Sequence, residues 1–233
     1  MIDQDHQPLR DQPVARRIAS HNNNRFGAVL SAFYQFLLER SSATNGIARR
    51  DAYSVITFNH EAEIQMTHDT TSSIDQMVQN LLGVTPDGGT DFGEALIVAR
   101  QVMEQSWSAE RSPVVIFLSD GEGESEREAM TELCDRAVAL GKALSFWSIS
   151  FGPYSSILQE LANIAKETAT RAARGSGVTP VPCDFRTAIN TVQLANAFSV
   201  IATSLRKTRA SLINPTAPAY TRSGASSSAL VTL

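Results

Sequence analysis

The most constraining feature of the sequence is an apolar run that ends abruptly in an acidic turn. Residues 114–118, Val-Val-Ile-Phe-Leu, are five consecutive apolar side chains, most of them β-branched or aromatic. Such a run is typical of a strand buried on both faces, as parallel strands are inside an α/β domain. Ser119, Asp120 and Gly121 follow directly. Because open α/β sheets bind ligands beyond the carboxyl ends of their strands, the pattern predicts a functional site at Asp120.

Patterns on both sides of this run predict further strands and helices in alternation. Residues 53–58 are predicted to form a strand, and residues 62–66 a short antiparallel edge strand paired with it. A third strand is predicted over 144–151, a short edge strand around 178–181, and a last helix from about Asp184. Helical spacing of apolar residues fills the stretches between the long strands. This alternation predicts a doubly wound, mostly parallel sheet with helices on both faces.

Composition and charge exclude several classes of protein. The chain has 233 residues, 42% of them hydrophobic and 19% charged, which fits one globular domain with tails. A net charge of −4 with scattered Lys and Arg argues against nucleic-acid binding. No apolar run approaches the ~20 residues of a membrane span, and the N-terminus lacks the apolar core of a signal peptide, so no membrane contact and a cytoplasmic location are expected. Its two cysteines are too few for a disulfide framework.

Three regions are expected along the chain. Residues 1–21 are polar, contain Pro8 and Pro13, and are expected to form a poorly ordered arm. Residues 22–208 form the folded domain. Residues 209–233, rich in Ser, Pro and Ala, are expected to be a disordered tail because they cannot bury enough apolar surface.

Two polar loops should meet at one edge of the predicted sheet. One is the segment 88–91, Gly-Gly-Thr-Asp, which opens a helix, and the other is the segment 119–121. A hydroxyl and carboxylates together would suit Mg²⁺, which takes oxygen ligands and keeps several waters. Taken singly, Thr90 could cap the following helix and Asp120 could start a turn. Their occurrence at one edge favours a site.

These segments resemble those of von Willebrand factor A domains. The resemblance rests on residues 53–58 (Tyr-Ser-Val-Ile-Thr-Phe) as the second strand. It rests also on residues 88–96 (Gly-Gly-Thr-Asp-Phe-Gly-Glu-Ala-Leu) as the threonine loop and on 114–121 as the strand that ends in Asp-Gly. It covers roughly residues 22–205 and implies a Rossmann-like fold. The two motifs in this order and spacing are together fairly specific.

The resemblance further implies a metal-ion-dependent adhesion site. In that family the ligands come from an Asp-x-Ser-x-Ser loop after the first strand, a threonine of the second loop and an aspartate of the third. Thr90 and Asp120 match the last two, whereas the first loop is missing. Its place ahead of Phe26 holds residues 15–20, Ala-Arg-Arg-Ile-Ala-Ser, without the aspartate. The first strand, central to the sheet in that family, was either lost through truncation or a mis-joined coding sequence, or this is a decayed copy.

With two matched ligands, metal binding is expected to be weak. Mg²⁺ is the expected ion, with Mn²⁺ or no metal as the alternatives. Asp91, Ser20 or an asparagine of 22–24 could partly complete the coordination shell. The site residues expected from the sequence are therefore Thr90 and Asp120 as metal ligands, with no catalytic residue.

The leading hypothesis is a non-catalytic protein–protein interaction module that binds an acidic side chain of its partner through the cation. One alternative is a Mg²⁺-dependent phosphoryl-transfer enzyme or phosphatase, because the same edge of a doubly wound sheet hosts such sites. For the nucleophile or general base of such an enzyme, the sequence contains only Asp91, Asp120 or Glu122, without a positioned partner or a phosphate-binding lysine. The other alternative is a metal-free scaffold.

Overall fold

The computed structural model describes residues 7–42, 51–120, 123–176, 179–213 and 226–232. The helices in these ranges are α1 (Ala15–His21), α2 (Arg25–Ser42), α3 (Ile74–Leu81), α4 (Phe92–Gln105), α5 (Arg127–Ala139), α6 (Ser156–Ser176) and α7 (Thr191–Ile213). The strands are β1 (Ala52–Phe58), β2 (Ala62–Asp69), β3 (Arg111–Ser119), β4 (Ser145–Phe151), β5 (Asp184–Ala188) and β6 (Ser226–Thr232). Across the described part of the chain, none of the helices has the length and apolarity to cross a bilayer.

The six strands form one sheet in the order β2-β1-β6-β3-β4-β5. β1 and β2 pair antiparallel, and the other four neighbouring pairs are parallel. The apolar run of β3 is central and at most 5% exposed from Val114 to Leu118. β2 is the predicted antiparallel edge strand. The doubly wound, mostly parallel sheet expected from the sequence is therefore confirmed.

Both faces of the sheet are covered, because side chains of β3 alternate between two hydrophobic cores. Ile116 and Leu118 pack with α1, α2, α3 and α7 on one face. Val115 and Phe117 pack with α4, α5 and α6 on the other. This burial explains why the run carries no polar residue before Ser119.

The sheet position between β1 and β3 is filled by the last strand in the sequence, β6. It runs parallel to both neighbours, with Ala229 opposite Tyr53 of β1 and Leu230 opposite Val115 of β3. The expectation of a disordered 209–233 tail is thus wrong for residues up to 213 and for 226–232, while 214–225 and 233 lie outside the described residues. A short segment forms a strand here because ladders on both sides satisfy its backbone, which local composition does not reveal.

The N-terminal arm also differs from the expectation of poor order. Within the described residues 7–21, α1 packs on α2 and buries Val14 and Ile18, which are 3% and 0% exposed. Residues 1–6 lie outside the described part. A helix turns Ile18 inward while Arg16 and Arg17 stay near solvent, which a strand buried on both faces would not allow.

The other edge of the sheet is β5, where the sequence predicted the start of the last helix. Residues 184–188 pair parallel with β4, Trp147 lying opposite Asp184. The helix α7 begins instead at Thr191. The edge strand expected around 178–181 therefore lies a few residues further along the chain. A five-residue edge strand gives too little alternation to be recognised from sequence.

Candidate functional site

The loop of residues 84–91, which includes the start of the threonine loop, is held at the carboxyl ends of the parallel strands by the turn between β1 and β2. The backbone N–H of Gly89 donates to His60 Nε2 at 3.1 Å. The backbone N–H of Asp91 donates to the carbonyl oxygen of Asn59 at 2.7 Å. The loop is thus fixed at two points by a neighbouring turn, which sets where Thr90 lies.

Two adjacent glycines make this conformation possible. Gly88 has φ of +80°, a left-handed conformation that side chains with a Cβ disfavour. A Cβ on Gly89 would lie 2.3 Å from the His60 ring. The Gly-Gly pair is therefore explained by the path of the loop and its contact with His60.

The helix that follows the loop is capped by Asp91 and not by Thr90. Asp91 Oδ1 accepts a hydrogen bond from the backbone N–H of Glu94 at 2.9 Å, as an N-cap side chain does. Asp91 is therefore engaged in the helix and, among the described residues, is not part of the cleft lining. Thr90, half-buried, lines the cleft, so its hydroxyl is not needed for the cap.

Asp120 follows the end of β3 and forms an ion pair with Arg25. Nη1 of Arg25 donates to Asp120 Oδ2 at 3.0 Å, and the two side chains are 46% and 51% exposed. Arg25 is the first residue of α2, and Asn24 Oδ1 caps this helix by accepting from the N–H of Gly27 at 3.1 Å. Sequence reasoning missed Arg25, because a contact across 95 residues has no local signal. Gly121 and Glu122 lie outside the described residues.

An aromatic cluster packs beside the end of β1 and the start of α4. Phe117 of β3 lies with its ring centroid 5.3 Å from those of Phe58 and Phe92. Phe58 ends β1, and Phe92 begins α4 directly after Asp91. Such ring contacts add to the burial energy and hold the ends of these elements in place. The cluster therefore joins the end of β1, the carboxyl-terminal half of β3 and the start of α4.

Thr90 and Asp120 line one open cleft of about 890 Å³ at this edge. The start of α2, the ends of β1 and β3, the start of β2 and the threonine loop form its walls. The structure therefore brings the two sequence-predicted residues to the same cavity. Ser20 and Asn22, which the sequence suggested as further ligands, donate to backbone carbonyls elsewhere and do not line the cleft.

The donor set does not fit a tightly held metal ion. Within the described ranges, no cluster of three or more His, Cys, Asp or Glu side chains could hold one. The guanidinium of Arg25 already lies against Asp120 and adds a positive charge there. Mg²⁺ prefers oxygen ligands in a full octahedral shell, so water would have to supply most of it.

Charge is distributed unevenly along the cleft. Arg25 is the one cationic side chain among the described residues that line it. Glu61, Glu63 and Asp87 line the part formed by the β1–β2 turn and the threonine loop. The described lining therefore carries four carboxylates, those of Glu61, Glu63, Asp87 and Asp120, and one guanidinium.

Neither cysteine provides a nucleophile. Cys134 is buried on α5, and burial raises the pKa of its thiol well above the ordinary range. Burial also raises the pKa of Cys183 to about 11. Both thiols are thus protonated near neutral pH, and thiolate chemistry is not available to them.

Comparison with known families finds a match over a little less than half of the chain, and this part includes most of the cleft lining. A family described as von Willebrand factor type A domain matches residues 15–122, which include both Thr90 and Asp120. Comparison with curated proteins gives no match.

Solved structures resemble this chain in fold. The SpRpn10 VWA domain has a TM-score of 0.56 and 12% identity, covering 78% of this chain and 85% of that domain. Proximal thread matrix protein 1 from the mussel byssus, with a zinc-occupied adhesion-site motif, has a TM-score of 0.56 and 19% identity over 82% of this chain and 43% of that protein. The PilB minor pilin from Streptococcus sanguinis has a TM-score of 0.55 and 13% identity, covering 92% of this chain and 60% of the pilin.

Proposed function

Because this chain carries a von Willebrand factor type A domain, we propose that it is a non-catalytic module that binds a protein partner in the cleft beside Thr90 and Asp120. The observation that carries the proposal is that both side chains are open to the cleft and neither is needed to cap a helix. In this proposal an acidic side chain of the partner binds next to Arg25, the one cationic side chain among the described residues that line the cleft.

The structural neighbours support an interaction role over a catalytic one. A byssal thread matrix protein and a minor pilin are, by their names, parts of extended assemblies. The residues that could serve catalysis are otherwise engaged or unreactive, because Asp91 caps α4 and the thiols of Cys134 and Cys183 are protonated. A phosphoryl-transfer reaction would need a positioned base beside Asp120, and the side chain paired with it is an arginine.

Metal binding belongs to the proposal as a weak property. The zinc-occupied motif of the mussel protein indicates that the fold can hold a divalent ion at this family's site. In this chain we expect Mg²⁺, or Mn²⁺ in its place, at Thr90 and Asp120 with a dissociation constant of roughly 1 mM or weaker, about −4 kcal/mol. Two protein ligands and a neighbouring guanidinium leave little energy for tighter binding.

The proposal is tested by placing one substitution in the cleft and the same substitution on a distant surface. Thr90→Trp puts a bulky, uncharged side chain into the cleft, and Thr170→Trp puts it on the exposed face of α6. Partners crosslinked by the wild-type protein are identified by mass spectrometry, and their affinities for the three proteins are then measured. We expect at least a tenfold loss for Thr90→Trp and wild-type affinity for Thr170→Trp. Partners that Thr90→Trp retains would place the binding surface elsewhere.

A further inference from the structure

We propose that Arg25 occupies the place of a metal ion at Asp120, so that a divalent cation can bind this carboxylate only against the positive charge of the guanidinium. The inference deepens the proposed function and rests on it. It follows from the contact between Arg25 and Asp120, from the way α2 fixes Arg25, and from the competition between a guanidinium and a dication for one carboxylate.

The contact places a permanent cation on the carboxylate that a metal would need. Arg25 Nη1 lies 3.0 Å from Asp120 Oδ2, within the range of a charge-assisted hydrogen bond. Arginine keeps its charge under all conditions in which proteins fold. The negative charge of Asp120 is therefore already compensated in the metal-free protein.

The position of Arg25 is fixed by the helix that carries it. Asn24 caps α2, and the backbone of Gly27 and Ala28 behind Arg25 is hydrogen-bonded to Asn24. Gly27 and Ala28 are buried against the rest of the domain. The guanidinium thus starts from a rigid helix end and does not need a mobile loop to reach Asp120.

A metal ion at Asp120 would compete with this guanidinium. A dication on the same carboxylate would lie only a few ångströms from Arg25, and the two positive charges would repel. Both side chains are about half exposed, so water screens the repulsion. For one charge beside a dication in such surroundings, the effect corresponds to about a tenfold change in metal affinity.

The same guanidinium can still bind a partner. It carries five N–H donors in a planar fork, and the contact with Asp120 uses one of them. A carboxylate of the partner can therefore accept a hydrogen bond from Arg25 while Asp120 remains in place.

The test is a calorimetric titration of the full chain with MgCl₂ alone. We expect a dissociation constant of about 1 mM or weaker for the wild type and one about tenfold lower for Arg25→Gln. Arg17→Gln is the matched control, because Arg17 pairs with Asp75 on another part of the surface at 3.3 Å. It should bind Mg²⁺ as the wild type does. Adding Asp120→Asn to Arg25→Gln should abolish the gain.

Two results would overturn the inference. One is an Arg25→Gln protein that is folded by circular dichroism and binds Mg²⁺ no better than the wild type. The other is a gain that persists after Asp120→Asn, which would place the ion elsewhere. Either result leaves the cleft intact as a partner site, since the comparison of Thr90→Trp with Thr170→Trp tests that proposal separately.

Discussion

Two arginine–aspartate pairs lie at opposite ends of the parallel strands. They have the same chemistry but differ in burial and in hydrogen-bond geometry. Asp120 follows β3 at the carboxyl ends of the parallel strands, whereas Asp51 precedes β1 at their amino ends. The strands between them run parallel, which places the two pairs at opposite ends. α2 supplies both arginines, Arg25 at its start and Arg40 near its end.

The difference lies in burial and in geometry. Nε and Nη2 of Arg40 both donate to Asp51 Oδ2, at 2.8 and 2.6 Å, and the side chains are only 3% and 6% exposed. Arg25 makes a single contact with Asp120, and both side chains are about half exposed. The buried pair ties α2 to the start of β1, so it serves the fold. The exposed pair contributes little to folding, which leaves Asp120 and Arg25 available to a ligand.

The largest expected effect is on the buried pair. Asp51→Ala leaves the buried guanidinium of Arg40 without this carboxylate, and we expect the free energy of unfolding to fall by about 3–5 kcal/mol. Urea denaturation followed by circular dichroism measures the change. A loss below about 1 kcal/mol would mean that the buried Arg40–Asp51 pair contributes no more to stability than the exposed Arg25–Asp120 pair.

A second effect of the buried pair appears at alkaline pH. Burial first, and the neighbouring Asp51 next, raise the pKa of Tyr53 above its ordinary value near 10. Above that pH the unfolded chain loses a proton that the folded state keeps, so stability should fall by about 1.4 kcal/mol per pH unit for this group. Tyr53→Phe should remove that part of the slope, as measured by urea denaturation at a series of pH values. An unchanged slope would show that the Tyr53 hydroxyl has the same pKa in the folded and the unfolded chain.

A smaller effect is expected at the carboxyl edge. Asp120→Ala should change the free energy of unfolding by less than about 1 kcal/mol, as is usual for an exposed ion pair. Asp75→Ala, which breaks the exposed pair with Arg17, is the control and should behave alike. Destabilisation by Asp120→Ala on the scale of Asp51→Ala would make Asp120 a structural residue.

The smallest expected effect is that of salt. Raising NaCl from about 0.05 M to about 1 M shortens the screening length to about 3 Å and should remove the few tenths of a kcal/mol that the exposed pair contributes. The stability difference between wild type and Asp120→Ala should then vanish. The difference for Asp51→Ala should persist, because solvent ions do not reach the buried pair. Equal salt dependence of the two differences would contradict the contrast in burial.

The sequence predicts the parts of this molecule in which a local pattern and the tertiary context agree. The apolar run of β3 is buried on both faces, so no other structure suits it. The glycines of the threonine loop and the cap at Asp91 follow from backbone geometry, which a few adjacent residues determine. These features located the carboxyl edge and the residues Thr90 and Asp120.

The features that sequence reasoning missed are those determined at long range. β6 is a strand because β1 and β3 flank it, and the Ser-rich start of residues 226–232 gives no local indication. The contact of Arg25 with Asp120 joins residues 95 positions apart. An arginine directly after the capping residue Asn24 indicates a cation at the start of α2, but not which carboxylate it meets.

The measurement that most directly tests this account is a pair of double-mutant cycles, Arg25/Asp120 and Arg40/Asp51, each with alanine at one or both positions. Each cycle isolates the interaction energy of its pair from the other effects of the substitutions. We predict a coupling energy of about 2–3 kcal/mol for Arg40 with Asp51 and of about 0.2–1 kcal/mol for Arg25 with Asp120. Equal coupling energies would contradict the claim that Asp120 and Arg25 are free to serve a partner while their counterparts hold the fold.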